Sequence, residues 1–258
     1  MNKYIGVYDS GLGGLTSVKQ LIKTLPNENI IFFGDTLNVP YGSKTKEEII
    51  EFASNNASFL NTFGLKAMVI ACNTSDSYAR NILEEKYDFP IFGVIKPACE
   101  KAVLICKKKI GVIATQATIN SNKYLNTINE LNENIEVISI PTPELVPMIE
   151  DGKFNFDNLE IRNTLKTYLN ELNDIDTLIL GCTHYDVLED IIKDLRPDIN
   201  IVSSSKCVID KLNDYLIKND LLNTDTDIER KYFVSKDQNS FEDKAKMIIK
   251  DIKVELKK

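Results

Sequence analysis

Eight short, almost uninterrupted apolar runs recur along this chain, and most are followed by a segment with helical spacing. "YIGVY" (4–8), "NIIFFG" (29–34), "KAMVIA" (66–71) and "PIFGVI" (90–95) form a first set of four. "KIGVIA" (109–114), "IEVISI" (135–140), "TLILG" (177–181) and "INIVS" (199–203) form a second. A strand that is apolar on both sides must be covered on both faces, which is the situation of parallel sheets with helical crossovers. The crossovers are visible as amphipathic stretches such as "TKEEIIEFASNNASFLNTFG" (45–64) and "FDNLEIRNTLKTYLNELN" (156–173). The pattern predicts an α/β protein with parallel sheets flanked by helices.

The two sets match in order. Ile5-Gly6-Val7 corresponds to Ile110-Gly111-Val112, and Cys72 corresponds to Cys182, 110 residues later. That interval is too long for a solenoid repeat. In a chain of 258 residues it predicts two similar, pseudo-two-fold related domains with a cleft between them. The first domain is expected to hold residues 1–96 and the second 97–204. The tail, 205–258, carries helical patterns around a strand, "KYFVS" (231–235), and is expected to return to the first domain.

The formal net charge of −7, with lysines interleaved among acids, argues against a nucleic-acid surface. The basic run "CKKK" (106–109) reads as a solvated loop. No stretch approaches the roughly 18 apolar residues of a membrane span, and "MNKYIGVYDSG" lacks the pattern of a signal peptide. A soluble, cytoplasmic protein with a small-molecule ligand is the expectation. A homodimer stays open.

Five cysteines and a single histidine make a disulfide framework or a structural zinc site hard to assemble. A buried cysteine at a strand end is most often a small apolar filler. Cys72 and Cys182 differ in their company, "CNT" (72–74) and "CTH" (182–184), since asparagine, threonine and histidine are poor core residues. Cys99, Cys106 and Cys207 lack such neighbours and read as structural. Ligands of parallel sheets bind outside the carboxyl ends of strands, so the two thiols are expected on opposite sides of one ligand. That arrangement suits removal of a proton from one face of a carbon and its return to the other. His184 would assist Cys182. With no second histidine, Asp9 at the end of the first strand is the carboxylate expected to serve Cys72.

The loop "DSGLGG" (9–14) also follows a strand and opens a helix. A dinucleotide fingerprint would need glycine where Thr16 stands, with Asp35 as the ribose-binding acid. Glycines that let backbone amides approach a carboxylate are the better reading.

The ordered set "DSGLGGLTSV" (9–18), "GDTLNVPYG" (34–42), "ACNT" (71–74), "GVIATQATINSNKY" (111–124), "LVPMIEDG" (145–152) and "GCTHY" (181–185) resembles the glutamate racemases of the cofactor-independent aspartate/glutamate racemase superfamily. The resemblance implies two parallel α/β domains and an active site in their cleft. It implies reversible conversion of L-glutamate to D-glutamate, a peptidoglycan precursor, with neither pyridoxal phosphate nor metal as cofactor. By motif match Cys72 would take the proton from D-glutamate and Cys182 from L-glutamate, with Asp9, His184 and Glu150 assisting. Ser10, Tyr41, Gly42, Asn73, Thr74, Thr118 and Thr183 would surround the substrate. Related enzymes acting on aspartate or another carboxylate, and a non-catalytic ligand-binding homologue, remain as alternatives, with a nucleotide oxidoreductase further off.

Two aspartates depart from the family pattern. After "ACNT" the usual continuation is Ala-Ser-Ala, where this chain has Ser75-Asp76-Ser77, and after "GCTHY" a proline is usual, where it has Asp186. Either they are helix-start acids, each stabilising by about 0.3–1 kcal/mol, or they face the cleft and oppose both thiolate formation and a substrate carboxylate.

Overall fold

The computed structural model describes residues 4–257. The strands are β1 (Tyr4–Asp9), β2 (Ile30–Gly34), β3 (Leu65–Ile70), β4 (Ile91–Gly93), β5 (Lys109–Ala114), β6 (Glu136–Pro141), β7 (Thr177–Gly181), β8 (Asn200–Ser203), β9 (Arg230–Val234) and β10 (Glu255–Leu256). The helices are α1 (Gly14–Thr24), α2 (Lys46–Asn61), α3 (Asn73–Lys86), α4 (Ile95–Ile105), α5 (Gln116–Asn120), α6 (Lys123–Leu131), α7 (Leu145–Glu150), α8 (Leu159–Glu171), α9 (Glu189–Leu195), α10 (Ser204–Lys218) and α11 (Gln238–Ala245). Two 3-10 turns, Tyr41–Ser43 and Thr183–Leu188, complete the elements near the cleft.

The strands form two parallel sheets, ordered β10-β9-β2-β1-β3-β4 and β6-β5-β7-β8. Without β9 and β10 the orders are the same, second-first-third-fourth. Each sheet therefore reverses its winding around its first strand, and a ligand crevice opens at the carboxyl end of β1 and of β5. In the first sheet β9 pairs with β2 along Ile30–Gly34, so the tail strand lies beside the N-terminal ones. The two-residue β10 is too short to show in a periodicity. It is held by pairing to β9 and by the Lys257 amide donating to the Val234 carbonyl at 2.8 Å.

The pleat explains the composition of the strands. Along β1, Ile5 and Val7 face one apolar layer while Tyr4 and Tyr8 face the other, where Ala53, Ala57 and Leu60 of α2 cover them. Ile110 and Val112 of β5 share the Ile5 layer, together with residues of α1, α4 and α10. The inner faces of both sheets thus belong to one continuous core. The closed side of the molecule is apolar, and the cleft lies at the strand ends. Leu178 and Leu180 face the opposite layer, against Ile161, Leu165 and Leu169 of α8.

Among the strands, the fourth departs most from the sequence reading. The run "PIFGVI" is strand only over Ile91–Gly93, and Ile95 begins α4. The cause is a tertiary contact, because the Ile95 amide donates to Asp76 Oδ2 at 2.7 Å.

Leu180→Ala should lower stability by about 2–5 kcal/mol, since it opens a cavity between β7 and its covering helix. Leu104→Ala, at a side chain 78 % exposed, should change it by no more than about 0.5 kcal/mol. Urea unfolding of the two variants checks the contrast.

Candidate active site

A cavity of about 330 Å³ lies at the carboxyl ends of β1, β3, β5, β6 and β7. Cys72 and Cys182 both open into it, one from each sheet. Cys182 directly follows the buried end of β7 and Cys72 follows β3 after one residue, Ala71; each directly precedes a helical turn. Among the expected substrate neighbours, Ser10, Tyr41, Gly42, Asn73, Thr74 and Thr183 line it. His184 lines it as well.

Thr118, Asp9 and Glu150 do not line the cavity; each stands one hydrogen bond behind a residue that does. Thr118 Oγ1 lies 3.2 Å from Thr74 Oγ1, and Thr115 Oγ1 completes a cluster of three hydroxyls at 3.0 Å from each. Asp9 accepts from the Gly11 amide at 2.9 Å and from the Thr183 hydroxyl at 3.0 Å. One bond holds Asp9 to its own loop and the other to the loop after β7, and its charge also bears on Cys72. Glu150 accepts from His184 Nε2 at 2.6 Å and from the Leu12 amide at 3.0 Å.

Two expected substrate contacts have polar ends already engaged. Tyr41 presents its ring to the cavity while its hydroxyl donates to Asp35 Oδ2 at 2.6 Å. Asn73 Oδ1 accepts from the Tyr124 hydroxyl at 2.6 Å, and its Nδ2 donates to Ser204 Oγ at 3.3 Å. Asp35 also accepts from Asn38 and Ser235, which leaves nothing of a ribose-binding acid. The glycines of the "DSGLGG" loop serve close packing. A Cβ at Gly13 would sit 2.4 Å from His184 Nδ1, and one at Gly11 would sit 2.6 Å from Glu150 Oε1. The carboxylate that these backbone amides approach belongs to the protein itself.

Thr115, Gln116, Thr142, Val146 and Pro147 also line the cavity, and sequence reasoning did not select them. Thr115 and Thr142 immediately follow β5 and β6, so the strand-end rule could have found them. No local signal marks Val146 or Pro147.

Electrostatically the two thiols are unlike. Burial pulls the His184 imidazole down, but its hydrogen bonds to Cys182 and Glu150 outweigh that, and the ring sits well above its ordinary value of 6.5. Burial works to raise Glu150, yet the bond and charge of His184 leave it below its ordinary value of 4.5. The pair is ionic. The Nε2 proton belongs to Glu150, so the Gly13 amide, 3.3 Å from that nitrogen, finds no lone pair there. Nδ1–H is left to point at Cys182 Sγ, 3.6 Å away. Cys72 has no such cation. Burial first, then the charge of Asp9, push its thiol up to about 11, against the amide and hydroxyl of Ser75 and the hydroxyl of Ser10.

Asp76 and Asp186 do not line this cavity. Asp76 is 2 % exposed and accepts from the first amide of α4. Asp186 lies behind the Thr183–Leu188 turn beside Ser203 and Ser205. Burial raises each to about 6. Asp76 acts on the start of α4, Asp186 Oδ1 has no hydrogen-bond partner among the described residues, and neither acid lines the cavity, so the cleft-facing reading falls.

Two like parallel-sheet domains each send a cysteine into one shared cavity. Residues 12–212 match the Asp/Glu/Hydantoin racemase family, and the chain belongs to that family. A glutamate racemase of Sulfurihydrogenibium sp. is 42% identical over 255 residues, 97% of this chain and 95% of the relative. The crystal structure of a glutamate racemase isoform from Bacillus anthracis superposes with a TM-score of 0.93 at 37% identity, covering 99% of this chain and 97% of the other. A Francisella tularensis glutamate racemase, solved in complex with D-glutamate, gives a TM-score of 0.92 at 38% identity over 100% and 98% of the two chains.

The His184–Glu150 pair predicts a pH window. His184, raised in the folded state, contributes stability that is complete below its ordinary 6.5 and lost as pH rises through its folded value. Glu150, lowered, contributes stability present above its ordinary 4.5 and lost as pH falls through its folded value. Glu150→Gln should therefore cost most between those two values, about 1–2 kcal/mol. The deficit should shrink toward either side, as read by urea unfolding across a pH series.

Proposed function

We propose that this chain interconverts L- and D-glutamate by passing a proton between two thiols across one carbon. The observation that carries the reading is that Cys72 and Cys182 reach one cavity from equivalent positions of two like sheets. Glutamate is favoured as substrate by the relatives of the same name, and by the Francisella enzyme solved with D-glutamate.

The lining suits a molecule with two carboxylates. Among the described residues, none that lines the cavity is Lys or Arg. Anions are instead met by the free first-turn amides of α3 and of the two 3-10 turns. The protein's own acids, Asp9 and Glu150, stand behind the lining and are hydrogen-bonded. Donors fixed around the α-carboxylate stabilise the charge that builds there as the Cα proton leaves.

In the L-to-D direction Cys182 is the base, with His184 Nδ1 placed 3.6 Å from its sulfur as a hydrogen-bond partner. Cys72, a thiol by virtue of its burial, delivers its proton to the opposite face. The reverse direction exchanges the roles. Asp9 and Glu150 act indirectly, holding Thr183 and His184 in place. D-Glutamate made this way would supply peptidoglycan synthesis in the cytoplasm, a reducing compartment that keeps both thiols free. Among the described residues no helix is long and apolar enough to cross a membrane.

Incubated with L-glutamate and no added cofactor, the protein should lose optical rotation, and it should act far more slowly on L-aspartate. In heavy water, early D-product should carry solvent deuterium at Cα. Product that kept the original proton would indicate one shared base. Cys72→Ala and Cys182→Ala should each slow racemisation by on the order of 10²–10⁴-fold. Rotation unchanged with glutamate would remove the proposal.

A further inference from the structure

Ser75 stands three residues after Cys72, in the first turn of α3, with no exposed surface. Cys72 occupies the capping position of that helix. The side chain at a cap and that of the third helical residue lie against each other. Ser75 is thereby near enough to Cys72 for its amide and hydroxyl to pull that thiol down, although neither completes a hydrogen bond to the sulfur at rest. The other neighbour of the hydroxyl is the Tyr8 phenol. Neither Ser75 Oγ nor the Tyr8 hydroxyl has a hydrogen-bond partner among the described residues. A buried hydroxyl left unpaired is costly, and nothing in the resting site satisfies this one. A thiol is a weak acceptor, whereas a thiolate is a strong one.

We propose that Ser75 is the donor that stabilises the Cys72 thiolate, its hydroxyl turning to the sulfur whenever Cys72 gives up its proton. The inference rests on the two-thiol reading above. In the L-to-D direction the Cys72 S–H bond breaks, the proton goes to Cα, and the electron pair stays on sulfur. Ser10 Oγ, 3.7 Å away, accepts from the thiol at rest and reverses its role at that moment. The titratable groups facing this corner are Tyr8 and Asp9 of β1, Asp76 of α3 and Tyr41 of the first 3-10 turn. None brings positive charge, so neutral donors are all that Cys72 has. Ser75 does not line the cavity and acts on the reacting sulfur from behind.

The test compares the full chain with Ser75→Ala, which removes one oxygen that has no partner. Alkylation by iodoacetamide at about pH 8.5 is followed by peptide mapping, so that each cysteine is read separately. A hydrogen bond to a charged sulfur is worth roughly tenfold in thiolate population. The stronger nucleophilicity of a less acidic thiol offsets part of this, so the initial rate at Cys72 should fall about threefold. The rate at Cys182, in the same digest, should not change. The value of kcat/KM for glutamate should fall about tenfold, alike in both directions because the enantiomers are equal in free energy. An unchanged Cys72 rate, or equal changes at both cysteines, would overturn the role of Ser75. If alkylation responds as expected while the unsubstituted protein does not racemise glutamate, the substrate assignment falls and the role of Ser75 stands.

Discussion

The arrangement of the site depends on one close approach, that of the loop after β1 to the loop after β7. Gly13 lies so near His184 that a single added carbon would collide with both its ring and its backbone nitrogen. Across that contact the Leu12 amide reaches Glu150, the Thr183 hydroxyl reaches Asp9, and Thr16 Oγ1 donates to the Thr183 carbonyl at 3.2 Å. These bonds join the two sheets at their strand ends and orient the only imidazole of the chain. A glycine-rich loop that elsewhere cradles phosphate here cradles a carboxylate and a histidine of its own chain.

That interlock leaves the halves of the site chemically unequal although their topology is alike. Cys182 has a cation bridged to a carboxylate behind it. Cys72 has hydroxyls and helix amides, with the charge of Asp9 against it. The two sulfurs therefore meet different polar groups before any ligand arrives. Enantiomers have equal energies, but nothing requires the protein to meet their two faces with the same groups.

The rest of the cleft is a polar seam between buried layers. The Thr74–Thr115–Thr118 hydroxyls and the Tyr124–Asn73–Ser204 chain cross it. Buried polar groups that satisfy one another give a seam a defined register, and the continuous apolar core on the closed side holds the two sheets to it.

The sequence by itself determined the α/β class, the eight strands of the two matched sets, and the pairing of Cys72 with Cys182, because strand apolarity and chain order are local properties. The strand from Lys109 to Ala114 was legible to the residue. Six of the seven expected substrate neighbours were found lining the cavity, since strand ends are where such ligands lie. The tertiary structure alone decided that Thr118, Asp9 and Glu150 stand behind the lining, that Tyr41 and Asn73 spend their polar ends on Asp35, Tyr124 and Ser204, and that Asp76 faces the start of α4. The reason is physical: which of several polar atoms a buried group bonds depends on distances between elements far apart in the chain, and those are set only when the two sheets pack.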